Sequence, residues 1–78
     1  TVYPNPTKGE FNIDLEELNG QTYDYRVLDP LGRVIKFQKN EYKSNVAVQL
    51  KSPSSGIYFV EVTIIQSQQK LIKKLLIE

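Results

Sequence analysis

Apolar side chains in this chain recur at every second position, in short runs that each stop at a cluster of Gly, Pro, Asn, Asp or Ser. A period of two is the repeat of a half-buried β-strand, whose side chains point alternately to opposite faces. From Gly9 to Leu15, Phe11, Ile13 and Leu15 fall on one face and Glu10, Asn12 and Asp14 on the other. Asn19-Gly20 follows as a turn signal, and Thr22–Leu28 repeats the pattern with Tyr23, Tyr25 and Val27 against Asp24 and Arg26. Arg33–Lys39 predicts a third strand with Ile35 and Phe37 on one face; after a polar connection, Val46, Val48 and Leu50 mark a fourth. Val, Ile, Thr, Tyr and Phe supply 26 of the 78 residues while Ala occurs once, at Ala47, an inventory that favours pleated surfaces over helices. The class reads as all-β.

Between the second and third runs, Asp29-Pro30-Leu31-Gly32 fits a type I turn position by position. Asp accepts from the backbone, Pro presets its own φ, and Gly leaves the turn without steric cost. Ser52-Pro53-Ser54-Ser55-Gly56 is the strongest loop signal, and Ile57–Ile65, apolar on both faces, reads as a central strand covered from both sides or spanning from core to edge. The last segment, Lys70–Glu78, fits two readings, since Leu71, Ile72, Leu75 and Leu76 share one side of a helical wheel. A nine-residue helix without caps is marginal, so a strand is expected, with Gln66–Gln69 closing its hairpin. Seventy-eight residues suffice for one core, and short strands without crossover helices imply a single antiparallel sandwich or barrel spanning 1–78.

The chain contains no His, Cys, Met or Trp, which removes the side chains most used for acid–base work, thiol nucleophiles and transition-metal binding. Its serines have no histidine to act as base, and no glycine-rich phosphate loop occurs. Glu10, Asp14 and Glu16 line one strand face, but such a row is ordinarily the wet side of an amphipathic strand. The expectation is therefore a non-catalytic domain without metal or cofactor. Ten basic against nine acidic residues leave a net charge of +1, too weak a field to draw nucleic acid or an anionic membrane. No apolar run is long enough for a membrane span. A start at Thr1-Val2 with no initiator Met and no signal peptide leads us to expect a piece of a longer protein.

Four motifs stand out. Tyr3-Pro4-Asn5-Pro6-Thr7-Lys8-Gly9 carries two prolines that fix φ and remove donors, so it must enter the fold as a rigid extended lead-in. It shapes the first turn and shields an edge, or it is read by a partner; Pro6 rules out glycosylation at Asn5. Leu31-Gly32-Arg33 combines a turn glycine with a solvated charge, and Gly56-Ile57-Tyr58 a loop-ending glycine with an aromatic at the core rim. The final nine residues carry three Lys against Glu78, a net +2, while the preceding 69 carry seven basic against eight acidic residues. Lysines there protect an edge strand from aggregation, or are read together with that edge by another protein.

Taken in order, Tyr3-Pro4-Asn5-Pro6-x-x-Gly9, Asp29-x-Leu31-Gly32-Arg33, Ser55-Gly56-Ile57-Tyr58 and the Lys-Lys aliphatic terminus resemble the type A C-terminal sorting domain of the type IX secretion system. The resemblance covers essentially the whole chain. It implies a small antiparallel immunoglobulin-like β-sandwich of about six or seven strands, at the C-terminus of an exported cargo. Such a domain directs its cargo through the periplasm to the outer-membrane translocon and its shuttle components. It is then removed by a cell-surface cysteine protease acting as a sortase, leaving the cargo on the surface of a Gram-negative bacterium or released. Carried over by motif, the recognition residues are Pro4, Asn5, Pro6, Gly9, Gly32, Arg33, Gly56, Tyr58, Lys73 and Lys74. The competing reading is a non-catalytic adhesion or carbohydrate-binding sandwich, which wants a platform of exposed aromatics. Only Tyr3 and Tyr42 fall outside the expected core, and they lie far apart in sequence.

Overall fold

The computed structural model describes residues 1–18 and 20–78, so Asn19 of the expected Asn19-Gly20 turn lies outside the described residues. Seven strands follow in chain order: β1 (Val2–Tyr3), β2 (Glu10–Asp14), β3 (Tyr23–Leu28), β4 (Val34–Glu41), β5 (Asn45–Gln49), β6 (Gly56–Ile64) and β7 (Lys70–Ile77). They form a three-stranded sheet, β1-β2-β5, and a four-stranded sheet, β4-β3-β6-β7, every neighbouring pair antiparallel. Phe11, Ile13, Val46 and Val48 from the first sheet and Tyr23, Tyr25, Val27, Tyr58, Val60, Val62, Ile64, Leu75 and Ile77 from the second make one buried cluster. The result is an all-β sandwich, as the period-two pattern predicts.

The ambiguous C-terminal segment is a strand. Leu71, Lys73, Leu75 and Ile77 share the core-facing side of β7, and Leu75 and Ile77 are fully buried, while Lys73 on that side stays exposed. The mixed Lys and aliphatic pattern is that of an edge strand only part of whose inner face is covered. Two expectations change. Ile35 and Phe37 do not share a face: Phe37 lies opposite Arg26 on the outer face and Lys36 opposite Val27 on the inner one, while half-exposed Ile35 falls at the register slip between Val27 and Leu28 and borders a cavity with Leu50 and Tyr58. Strand β6 is central in its sheet but covered on one side only, with Tyr58, Val60, Val62 and Ile64 buried and Ile57 exposed. Strand β1 and a single 3₁₀ turn at Glu16–Leu18 carry too few residues to show a period, and pattern reading misses both.

Tyr23 sits at the core edge with its hydroxyl donating to Lys43 O at 2.6 Å. Burial, then the nearby Glu41 carboxylate and Tyr25, pushes its pKa up to about 12; burial followed by Glu41 raises Tyr25 as well. A pKa raised on folding means stability that is complete below the unfolded value near 10 and lost as pH climbs through the folded one. We expect cooperative unfolding between about pH 10 and 12 in Tyr23-bearing protein. Tyrosinate absorbance should show late-titrating groups, and Tyr23→Phe should move the transition to higher pH; an unchanged alkaline midpoint would refute this.

Candidate functional site: one pole of the sandwich

The lead-in crosses from one sheet to the other. Strand β1 pairs with β2, but Asn5 and Thr7 lie along the free edge of β7. Asn5 Nδ2 donates to Lys74 O at 3.0 Å and Asn5 Oδ1 accepts from Leu76 N at 2.9 Å, so one side-chain amide takes the place of a neighbouring strand's peptide group. Thr7 continues the pairing by backbone: its N–H donates to Leu76 O and its carbonyl accepts from Glu78 N, both at 2.9 Å, in a parallel bridge to Ile77. The Thr7 hydroxyl donates to Glu10 O and accepts from Gly9 N, fixing the corner into β2. The Pro4-Asn5-Pro6 motif and the Lys73-Lys74 terminus, apart by most of the chain, thus form one element. The two lysines diverge: Lys74 lies opposite Phe59 on the outer face and Lys73 opposite Val60 on the core-facing side, both exposed.

The turn motifs pack beside it. Gly32 N donates to Asp29 O at 2.8 Å, the bond of the type I turn expected from Asp29-Pro30-Leu31-Gly32. The Asp29 carboxylate accepts from Leu31 N at 3.0 Å, Arg33 N at 2.8 Å and Arg33 Nε at 2.7 Å. Burial alone raises the Asp29 pKa, but the bonds from Arg33 and Leu31 and the guanidinium charge outweigh it, so the group lies below its ordinary value. Pro30 in turn rests on Gly56, where an added Cβ would sit 2.9 Å from Pro30 Cγ, on a backbone with φ of +152°. Gly9, at φ +127°, is held against Pro53 in the same way, a Cβ there lying 3.0 Å from Pro53 Cγ. The Tyr58 hydroxyl donates to Ser54 O at 2.7 Å, four residues upstream. That bond resembles the tyrosine corner of immunoglobulin-like sandwiches and gives Tyr58 a task in the fold.

These pieces meet because Gly56 is opposite Ile77 and Ile77 bridges Thr7. Pro30, Gly56, Ile77, Thr7, Gly9 and Pro53 form a continuous belt around one end of the molecule. Thr1 lies at the other end, its amino group donating to Asp14 O at 2.9 Å while Asp14 N donates to Thr1 O at 2.7 Å. The long dimension of the domain is 33 Å. Of the ten expected recognition residues, Asn5, Pro6, Gly9, Gly32, Arg33, Gly56, Tyr58 and Lys74 sit in or next to this belt; Pro4 borders a groove over the three-stranded sheet with Glu10, Asn12, Ala47 and Gln49, and Lys73 lies just beyond the belt on β7. Thr7, Pro30 and Pro53, which hold the belt together, are legible in the sequence only as lead-in, turn and loop residues, and Asp29 only as the first residue of the turn, not as the buried hub of Arg33. Among the described residues no group of acidic side chains could hold a metal ion.

A comparison with curated proteins finds no match. The family model of the secretion system C-terminal sorting domain matches residues 1–78, so the chain belongs to that family and is a C-terminal sorting signal of type IX secretion.

Proposed function

We propose that the belt-bearing pole is the part of the signal that the export machinery reads, and that a cargo joined ahead of Thr1 leaves the domain at the opposite pole. The observation that carries this reading is the gathering of motif residues spread from Asn5 to Lys74 at the end remote from Thr1. A signal arranged in this way is presented clear of its cargo. Recognition then rests on shape, because the turns are rigid and the fixed features are prolines, glycines and one guanidinium held by Asp29. In transit through the periplasm the outer-membrane translocon and its shuttle components engage Pro4, Asn5, Pro6, Gly9, Gly32, Arg33, Gly56, Tyr58, Lys73 and Lys74. A cell-surface sortase then separates cargo from domain near Thr1. The domain itself performs no catalysis in this scheme.

The test fuses residues 1–78 behind a fluorescent reporter bearing a signal peptide, in a bacterium with a working type IX system and in its translocon-deficient counterpart. Reporter outside the cell only in the first strain, shortened by the mass of the domain, is the expected result. Reporter retained equally in both periplasms, while a cognate cargo is exported normally, would overturn the reading.

A further inference from the structure

An antiparallel sandwich ordinarily keeps its outer faces polar, because each is in contact with water. The three-stranded sheet obeys this, presenting Glu10, Asn12, Asp14, Asn45 and Gln49 outward. The four-stranded sheet does not. Across its outer face run Val34, Phe37, Ile57, Phe59, Ile72 and Leu76, of which Phe37 is 53% and Ile72 59% exposed. Ile57 lies directly opposite Leu76, Phe59 opposite Leu28 and Leu28 opposite Val34, so these five make a continuous apolar strip across the strands, with Phe37 and Ile72 beside it at the two ends of the next row. At its centre Arg26 Nε and Glu61 Oε1 pair at 2.8 Å and cancel. The pair lines one side of a shallow groove of about 300 Å³ that Asp24, Phe37, Thr63 and Lys70 complete. Lys70 and Lys74 stand on the rim with no ion-pair partner among the described residues. An exposed apolar patch with a charged rim marks a docking surface.

We propose that this face docks a component of the export machinery that presents an apolar protein surface edged by carboxylates, a proposal that rests on the sorting reading above. Two observations select that occupant. Strand spacing and rise give the patch on the order of 400 Å², about half of what each side of a stable interface buries. A contact of that size is transient, which suits a signal that must be released and not a permanent dimer of this chain. Lys70 and Lys74 outnumber Asp24, the one unpaired carboxylate bordering the groove among the described residues, so the rim is positive on balance and a surface bearing Asp or Glu complements it better than a second copy does.

The test is the reporter fusion carrying Phe37→Ser with Ile72→Ser, both at exposed positions, with folding checked by near-ultraviolet circular dichroism. Export at least tenfold below that of the unaltered fusion is expected, and Lys70→Glu on the rim should lower it about threefold. Should the first pair unfold, Ile57→Ser with Leu76→Ser makes the same removal closer to the pole. Undiminished export by a folded patch variant would overturn this proposal while leaving the sorting reading intact; loss of translocon dependence in the unaltered fusion would overturn both. Sedimentation of the isolated domain as a dimer dissolved by Phe37→Ser with Ile72→Ser would give the face to a second copy. Patch-dependent binding to phosphatidylglycerol vesicles would give it to lipid. Either result would also overturn the proposal.

Discussion

A chain ending at Gln69 is expected to be unfolded. Strand β7 supplies Leu75 and Ile77, both fully buried, and its loss also bares the whole edge of β6 and removes the strand that the Asn5 side chain and the Thr7 backbone bond to. Removing one such aliphatic side chain typically costs about 2–5 kcal/mol, and a domain of this size has on the order of 5 kcal/mol in all. The truncated protein should therefore show no cooperative thermal transition by circular dichroism, and a reporter fused to it should not be exported. A sharp transition in the truncated chain would contradict the packing described. The last strand is thus a member of the core as well as the carrier of Lys73 and Lys74.

Gly56→Ala is expected to have the largest effect of any single small substitution. The new methyl group would meet Pro30 Cγ at 2.9 Å, and the residue would have to keep a φ of +152°. Overpacking against a proline ring costs about 1–3 kcal/mol, and a non-glycine residue in that backbone region adds about 1–3 kcal/mol. Together they should lower the melting temperature by roughly 15 °C, at about 4–8 °C per kcal/mol for a domain this small. Gly32→Ala provides the comparison, since a Cβ at Gly32 meets nothing within 4 Å. The steric account predicts a much smaller loss there. Equal losses would mean that backbone conformation, and not the contact with Pro30, makes Gly56 necessary.

Local signals in the sequence were enough for the fold class because most strands show their period directly. Tyr23, Tyr25 and Val27 alternate with polar residues and are buried; Asp29 to Gly32 contains a full turn signature, and the turn forms with its expected bond. Strand β4 misled for a physical reason. Its Ile35 and Phe37 read as one face, yet the register places Phe37 outside and Lys36 inside, a choice made by pairing with β3 and a slip near Leu28 that local patterning does not encode. The recognition motifs were legible as unusual residues but not as one structure. That Asn5 serves as a rung of β7, or that Pro30 covers Gly56, depends on contacts 71 residues apart in one case and between separate loops in the other. The tyrosine corner shows how one residue can belong to a motif and to the fold together, since Tyr58 is buried with its hydroxyl bound within its own loop.

In the proposed scheme the pole opposite Thr1 is the surface that the export machinery reads. Leu31 stands at that pole, 79% exposed at the tip of the Asp29 turn, and Tyr42 at the Thr1 pole is 69% exposed. Neither contributes to the core, so Leu31→Asp and Tyr42→Asp should leave the melting temperature nearly unchanged. The measurement is the export rate of the reporter fusion carrying each substitution in a translocon-proficient strain. A drop of at least tenfold for Leu31→Asp with normal export of Tyr42→Asp is the predicted result. Equal export of the two folded variants, or a drop confined to Tyr42→Asp, would contradict it.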